Sequence, residues 1–67
     1  MDVRQEYRDR MGKLLGWRVQ SGRRILGHNH TGALVGWYDT AMNETRDQAG
    51  RLVGRGDMLA ALIVTER

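Results

Sequence analysis

Four short segments of this chain close in the same way. Met11-Gly12-Lys13-Leu14-Leu15-Gly16, Ser21-Gly22-Arg23-Arg24-Ile25-Leu26-Gly27, Thr31-Gly32-Ala33-Leu34-Val35-Gly36 and Ala49-Gly50-Arg51-Leu52-Val53-Gly54 each run from a glycine, through one or two spacers and two aliphatic residues, to a second glycine. The first glycines of the first three copies lie ten residues apart, and the fourth follows after an eighteen-residue step that contains Asp39-Thr40-Ala41-Met42-Asn43-Glu44. A period of ten is too short for a helical repeat, which takes about 33 to 47 residues, but it fits one strand of about five or six residues plus a tight turn. The polar stretches before each first glycine, such as Asp9-Arg10-Met11 and Asp47-Gln48-Ala49, let that glycine take a positive φ. It then closes a three- to four-residue hairpin through a type I turn and a G1 bulge.

The pattern predicts an all-β chain, a single small domain over residues 1–67, folded as an antiparallel, barrel-like meander of about five strands. These lie near residues 4–9, 13–19, 24–29, 33–39 and 51–55, with a further short strand at 44–47. Val3, Tyr7, Met11 and Leu14 also recur at helical spacing, but Gly12 interrupts them at a cost of about 1 kcal/mol, which favours strand from Lys13 onward. Two readings of the tail stay open: a short helix capped by Asp57, or a closing strand at Leu62-Ile63-Val64.

Alternation within each strand sorts the faces. The first aliphatic of each copy (Leu14, Ile25, Leu34, Leu52) is expected to share a face with the closing glycine. The second (Leu15, Leu26, Val35, Val53) is expected to share the other face with the residue after it, namely Trp17, His28, Trp37 and Arg55. The extra arginine of the second copy is placed as a bulge near Arg23-Arg24. The closing glycines mark positions where another element approaches closely.

A chain of this length buries only about 60% of the surface it exposes when unfolded, so small domains usually add disulfides, a metal or self-association. Cysteine is absent, which removes disulfides and thiolate metal sites. A homo-oligomer is therefore expected, with the apolar tail Met58 to Val64 as an interface. No apolar run reaches the ~18 residues of a membrane span and the first residues do not resemble a signal peptide, so no membrane association and a cytoplasmic location are expected.

Candidate sites follow from the same pattern. Trp17, His28, Trp37 and Arg55 form a predicted ligand-binding face, with Tyr7, Tyr38, Arg18, Arg23 and Arg24 nearby in the pattern. Aromatic rings stack on bases and guanidinium groups pair with phosphates, so a nucleotide, a nucleic-acid strand or another anionic ligand is the expected partner. The alternative is that both tryptophans are core, since the chain has no phenylalanine. His28-x-His30 is half of a zinc site, with Asp39 or Asp47 as a third ligand, but reads more simply as a solvated hairpin tip, so no metal and no cofactor are assigned. Gly54-Arg55-Gly56 lacks the strand-loop-helix setting of a phosphate loop and reads as a turn. The only serine, Ser21, sits in a predicted turn, and the acids are scattered singly beside arginines. Neither nucleophilic nor paired-carboxylate catalysis follows.

The ten-residue glycine-closed unit, with Tyr7 and Trp17 at the fifth position before the turn glycines, resembles the small bacterial four-fold beta-flower proteins over residues 7–55. The segment Thr45-Arg46-Asp47-Gln48-Ala49-Gly50-Arg51-Leu52 is similar to one YD/RHS-type repeat. Neither family supplies a catalytic residue. Gly32-Ala33-Leu34-Val35-Gly36-Trp37-Tyr38-Asp39-Thr40 resembles a strand of the plasmid-borne type II dihydrofolate reductases, SH3-like barrels that assemble around one pore. The Val-Gln-Ile-Tyr strand that carries that family's chemistry has no counterpart after residue 40. The function expected is a non-enzymatic, oligomeric β-repeat binding module, such as a phage or bacterial accessory protein. The alternative is a minimal oligomeric enzyme of that reductase type, with its site on a symmetry axis.

Overall fold

The computed structural model describes residues 4–65. Six strands, β1 (Arg4–Arg8), β2 (Leu14–Ser21), β3 (Arg24–Asn29), β4 (Leu34–Asp39), β5 (Glu44–Asp47) and β6 (Leu52–Arg55), precede one helix, α1 (Leu59–Thr65). The strands form one antiparallel sheet in chain order. Its two outer strands, β1 and β6, do not pair, so the sheet is open and the barrel-like closure expected from the repeat is not present. Residues 4–8 are strand rather than helix, and the tail is helix rather than strand. Val3 lies outside the described residues. Among the described residues no helix is long and apolar enough to cross a membrane.

Three of the hairpins share one turn chemistry. Gly12, Gly32 and Gly50 have φ of 84°, 90° and 85°. Each donates its amide to the carbonyl of the residue three before it, Asp9, Asn29 or Asp47. The side chain of that same residue accepts two further amides: Met11 and Lys13 on Asp9, Thr31 and Ala33 on Asn29, Ala49 and Arg51 on Asp47, all at 2.8–3.0 Å. The β2–β3 hairpin differs. Ser21 pairs directly with Arg24, which leaves a two-residue turn with Gly22 (φ 63°) in its first central position, as a type II′ turn requires. The β4–β5 loop uses Asn43 at φ 54°, an asparagine-tolerant conformation, and Tyr38 Oη donates to Asn43 Oδ1 at 2.7 Å.

The bulges fall in the opposite copies to those expected. β2–β3 has an unbroken register, so there is no bulge at Arg23-Arg24. In the other three copies the pairing steps past one residue, because Tyr7 faces Gly16 while Arg8 faces Leu14, Gly27 faces Gly36 while His28 faces Leu34, and Thr45 faces Gly54 while Arg46 faces Leu52. The skipped residues are Leu15, Val35 and Val53. One extra residue reverses the alternation upstream of it, so Leu14, Leu34 and Leu52 stand on the face opposite the closing glycines. Leu15 and Val35 are buried, at 8% and 6% exposure. Only the unbulged copy keeps the expected arrangement, with Ile25 on the glycine face and Leu26 on the other.

The segment that approaches the closing glycines is α1 with the preceding Met58, and at Gly16 and Gly36 the carbonyls of His28 and Arg46 on the neighbouring strands crowd the same space. A β-carbon on Gly27 would lie 2.7 Å from Leu59 Cδ1, and one on Gly16 would lie 2.5 Å from Ile63 Cγ2. Leu62 occupies the same position over Gly36, and Met58 over Gly54. The glycines thus form a trough into which the helix settles, with Leu59 and Ile63 fully buried against Val35 and flanked by Tyr7, Ile25 and Tyr38. At about 25 cal/mol per Å² of apolar surface, burying two such side chains contributes roughly 3 to 6 kcal/mol. The apolar tail is therefore consumed by its own sheet and is not the exposed interface expected of it.

Two polar contacts fix the entry to the helix. Thr45, fully buried, donates from Oγ1 to the Gly56 carbonyl (2.8 Å) and accepts the Met58 amide (2.9 Å). Asp57 accepts the Leu59 amide at 3.1 Å and a two-pronged ion pair from Arg18 at 2.8 and 3.2 Å. The Arg18 guanidinium, followed by the Leu59 amide, holds the Asp57 carboxyl below its ordinary range.

Candidate functional site on the open face

With α1 on one side, the other side of the sheet is uncovered among the described residues. The register defines what it displays. Arg4, Val19, Leu26, Trp37, Arg46 and Leu52 stand opposite one another in a single row from β1 to β6. Glu6, Trp17, His28 and Leu34 form a second row beside it, and Ser21, Arg24, Asp39, Glu44 and Arg55 a third. Trp17, His28 and Trp37 are half-buried, and Arg55 is exposed.

All four residues expected to form the ligand face lie on this side, because each follows a glycine that faces the helix. Trp17 and His28 are in direct contact, their rings stacked at 5.4 Å and 25°. His28 Nδ1 lies 3.2 Å from the Gly32 carbonyl, which fixes the ring's orientation. Trp37 occupies the adjoining row on β4. Arg55 is at the far corner, opposite Glu44 on β5. The wider constellation is divided, since Tyr7, Tyr38 and Arg18 lie on the helix face, where the Arg18 guanidinium stands 5.8 Å from the Tyr7 ring.

Guanidiniums cover both tryptophans, one from Arg24, already named near the site from the pattern, and one from Arg4, which the sequence pattern alone does not assign to it. Arg4 lies over Trp17 at 4.4 Å and Arg24 over Trp37 at 4.9 Å. Each is the diagonal neighbour on the preceding strand, thirteen positions before its tryptophan. That shared spacing is the signal that finds them once the hairpin register is known. Such contacts contribute about 0.5–1 kcal/mol at exposed sites.

Acids are threaded among these cations. Glu6 binds Arg4 at 2.7 Å and Arg8 at 2.9 Å, and hydrogen bonds from Arg8 and then Arg4 hold its carboxyl below the ordinary range. Glu44, buried, pairs with Arg46 at 3.0 Å, and Arg46 also donates to the Gly50 carbonyl. Asp39 accepts the Ala41 and Met42 amides of its own turn. Arg24 and Arg55 make no ion pair among the described residues.

No group of three or more metal-ligating side chains occurs among the described residues. His28 belongs to β3, whereas His30 is exposed in the following turn and lines a shallow cavity with Lys13, Leu14 and Leu15. Gly54-Arg55-Gly56 ends β6 and joins it to the helix entry, where the Gly56 amide donates to the Asn43 carbonyl at 2.8 Å.

The fold and site together define an open six-stranded meander backed by one short helix, with an aromatic and arginine-rich outer face. No family model matches this chain, and comparison with curated proteins and with solved structures finds no significant similarity.

Proposed function

We propose that this chain is a non-enzymatic interaction module that binds its partner through the open face. The observation that carries the reading is the division of side chains between the two faces. Glycines line the side taken by the helix, and both tryptophans stand on the side left uncovered. The acids of that side are engaged in ion pairs or turn hydrogen bonds, which makes them positioning groups rather than acid/base catalysts.

An anionic ligand such as a nucleotide engages Arg24 or Arg55, the guanidiniums of this face without an acidic partner among the described residues, which stand at either side of Asp39 and Glu44 in one row, with Trp37 in the adjoining row to stack on a base. Titrating a nucleoside triphosphate while following tryptophan emission and the melting temperature tests this. Quenching with an upward shift in Tm, both weakened in Arg55→Ala by about 1.5–3 kcal/mol of binding, is the expected result. Unchanged emission and Tm would remove the nucleotide reading. Turnover of a reduced nicotinamide with dihydrofolate would replace the whole proposal with a minimal reductase.

A further inference from the structure

We infer that a second copy of this chain docks on the open face, sheet against sheet. The inference rests on the reading of this face as the binding face and names its macromolecular partner.

The apolar centre comes first. Trp17, Val19, Leu26, Leu34 and Trp37 occupy two adjoining rows in the middle of the face, all half-buried within one chain. A core of aromatic residues framed by arginine is the composition of protein interfaces. A surface built for a polyanion alone would instead be continuously basic. Here Glu6 and Glu44 sit inside the frame and neutralise arginines on both flanks.

The size fits as well. The molecule measures 34 × 27 × 18 Å between Cα extremes. The rectangle that bounds its broad face is roughly 900 Å², so the ~800 Å² per partner of a standard stable interface is reached only when nearly the whole face is covered, which a sheet-on-sheet contact does. The core within one chain is small: Leu15, Val35, Leu59 and Ile63 are its buried hydrophobic residues among those described. Pairing two open faces at the usual ~10 Å sheet spacing adds a second apolar layer.

The rows are also self-complementary. A two-fold axis parallel to the strands and passing between β3 and β4 lays Leu26 of each copy on Trp37 of the other, since these residues face each other across that strand pair. The same axis keeps every row at its own height, so Arg4 of β1 comes over Leu52 of β6 with Glu44 and Arg46 of β5 alongside, Glu6 lies one row from Arg46, and Arg8 and Arg55 fall at opposite ends of the rims. Each rim carries both signs, so each copy offers an acid to the guanidiniums of the other. Arg55 stays at the periphery, where a small anion still reaches it, but Trp37 is covered, so base stacking on Trp37 and this dimer exclude each other.

Subunit mass by sedimentation equilibrium, together with tryptophan emission on dilution, tests the inference. The wild-type chain is expected to be a dimer whose emission shifts to the red as it dissociates. Leu26→Glu is expected to raise the dissociation constant by about thirtyfold or more, the effect of a central hot-spot residue, with an unchanged circular dichroism spectrum. Should Leu26→Glu fail to fold, Val19→Lys in the same row serves in its place. A wild-type monomer throughout the micromolar range overturns the inference, as does a dimer that both variants leave intact or whose dissociation leaves tryptophan emission unmoved. A dimer that ignores nucleotide removes only the nucleotide reading, and a monomer that binds nucleotide removes only this one.

Discussion

The two faces of this sheet are built from neighbouring positions of one repeat and behave oppositely. On one, the closing glycine of each copy removes a side chain so that α1 can lie within contact distance of the backbone. On the other, the very next residue is Trp17, His28, Trp37 or Arg55. A single step along the chain separates a surface that excludes side chains from one that collects them. The lesson is that a glycine row in a strand repeat says less about its own side than about the side opposite, where the remaining bulk must go.

The comparison can be broken most directly at the helix. Leu59→Ala removes a fully buried side chain from the glycine trough and is expected to cost about 2–5 kcal/mol in urea unfolding. A loss below that range would mean that α1 is a loose cover rather than half of the core.

Replacing the glycines themselves grades the trough. In Gly16→Ala the new methyl meets the backbone carbonyl of His28, which cannot swing away, and the expected loss is about 1–3 kcal/mol. Gly54→Ala meets only the flexible Met58 side chain and should cost less. Equal losses would show that the contact with the helix segment, and not the carbonyl of the neighbouring strand, sets the requirement.

On the open face, Arg24→Ala deletes the guanidinium above Trp37 and should cost only about 0.5–1 kcal/mol of monomer stability. A loss as large as that of Leu59→Ala would erase the distinction between the faces.

The smallest effect is electrostatic. Asp57 on the helix side and Glu6 on the open side both have carboxyls held below their ordinary values by arginine hydrogen bonds. A depressed carboxyl stabilises the fold above its unfolded pKa, near about 4, and that stabilisation is lost as pH falls through the lower folded value. Stability should therefore fall off below about pH 4. Asp57→Asn should lower the neutral plateau and flatten that acid limb, and Glu6→Gln should do so less, because Asp57 also caps the helix.

Much of this architecture is legible in the residues. Turn glycines preceded by Asp or Asn mark three hairpins, and the short strand at 44–47 shows in its spacing. The closing glycines announce a close approach, but not by what, because Leu62-Ile63-Val64 suits a strand as well as a helix and only the trough decides. Face assignment in three copies goes astray for one reason. A bulge at Leu15, Val35 or Val53 has no side-chain signature, yet it reverses every residue upstream of it. The residues after the closing glycines lie downstream of the bulge, so their common side is readable, whereas the diagonal contacts of Arg4 and Arg24 require the register.

The hairpins solve one problem of length in two ways. Tyr7, Arg18, Gly27 and Thr45 each stand opposite a closing glycine nine positions later, whether the intervening residues make a long turn with a bulge or a tight turn with none. The two designs are thus interchangeable parts. Exchanging the 19–26 connection with the 8–15 connection would leave every flanking pair in place, and a gene could gain, lose or recombine such units without retuning the strands around them.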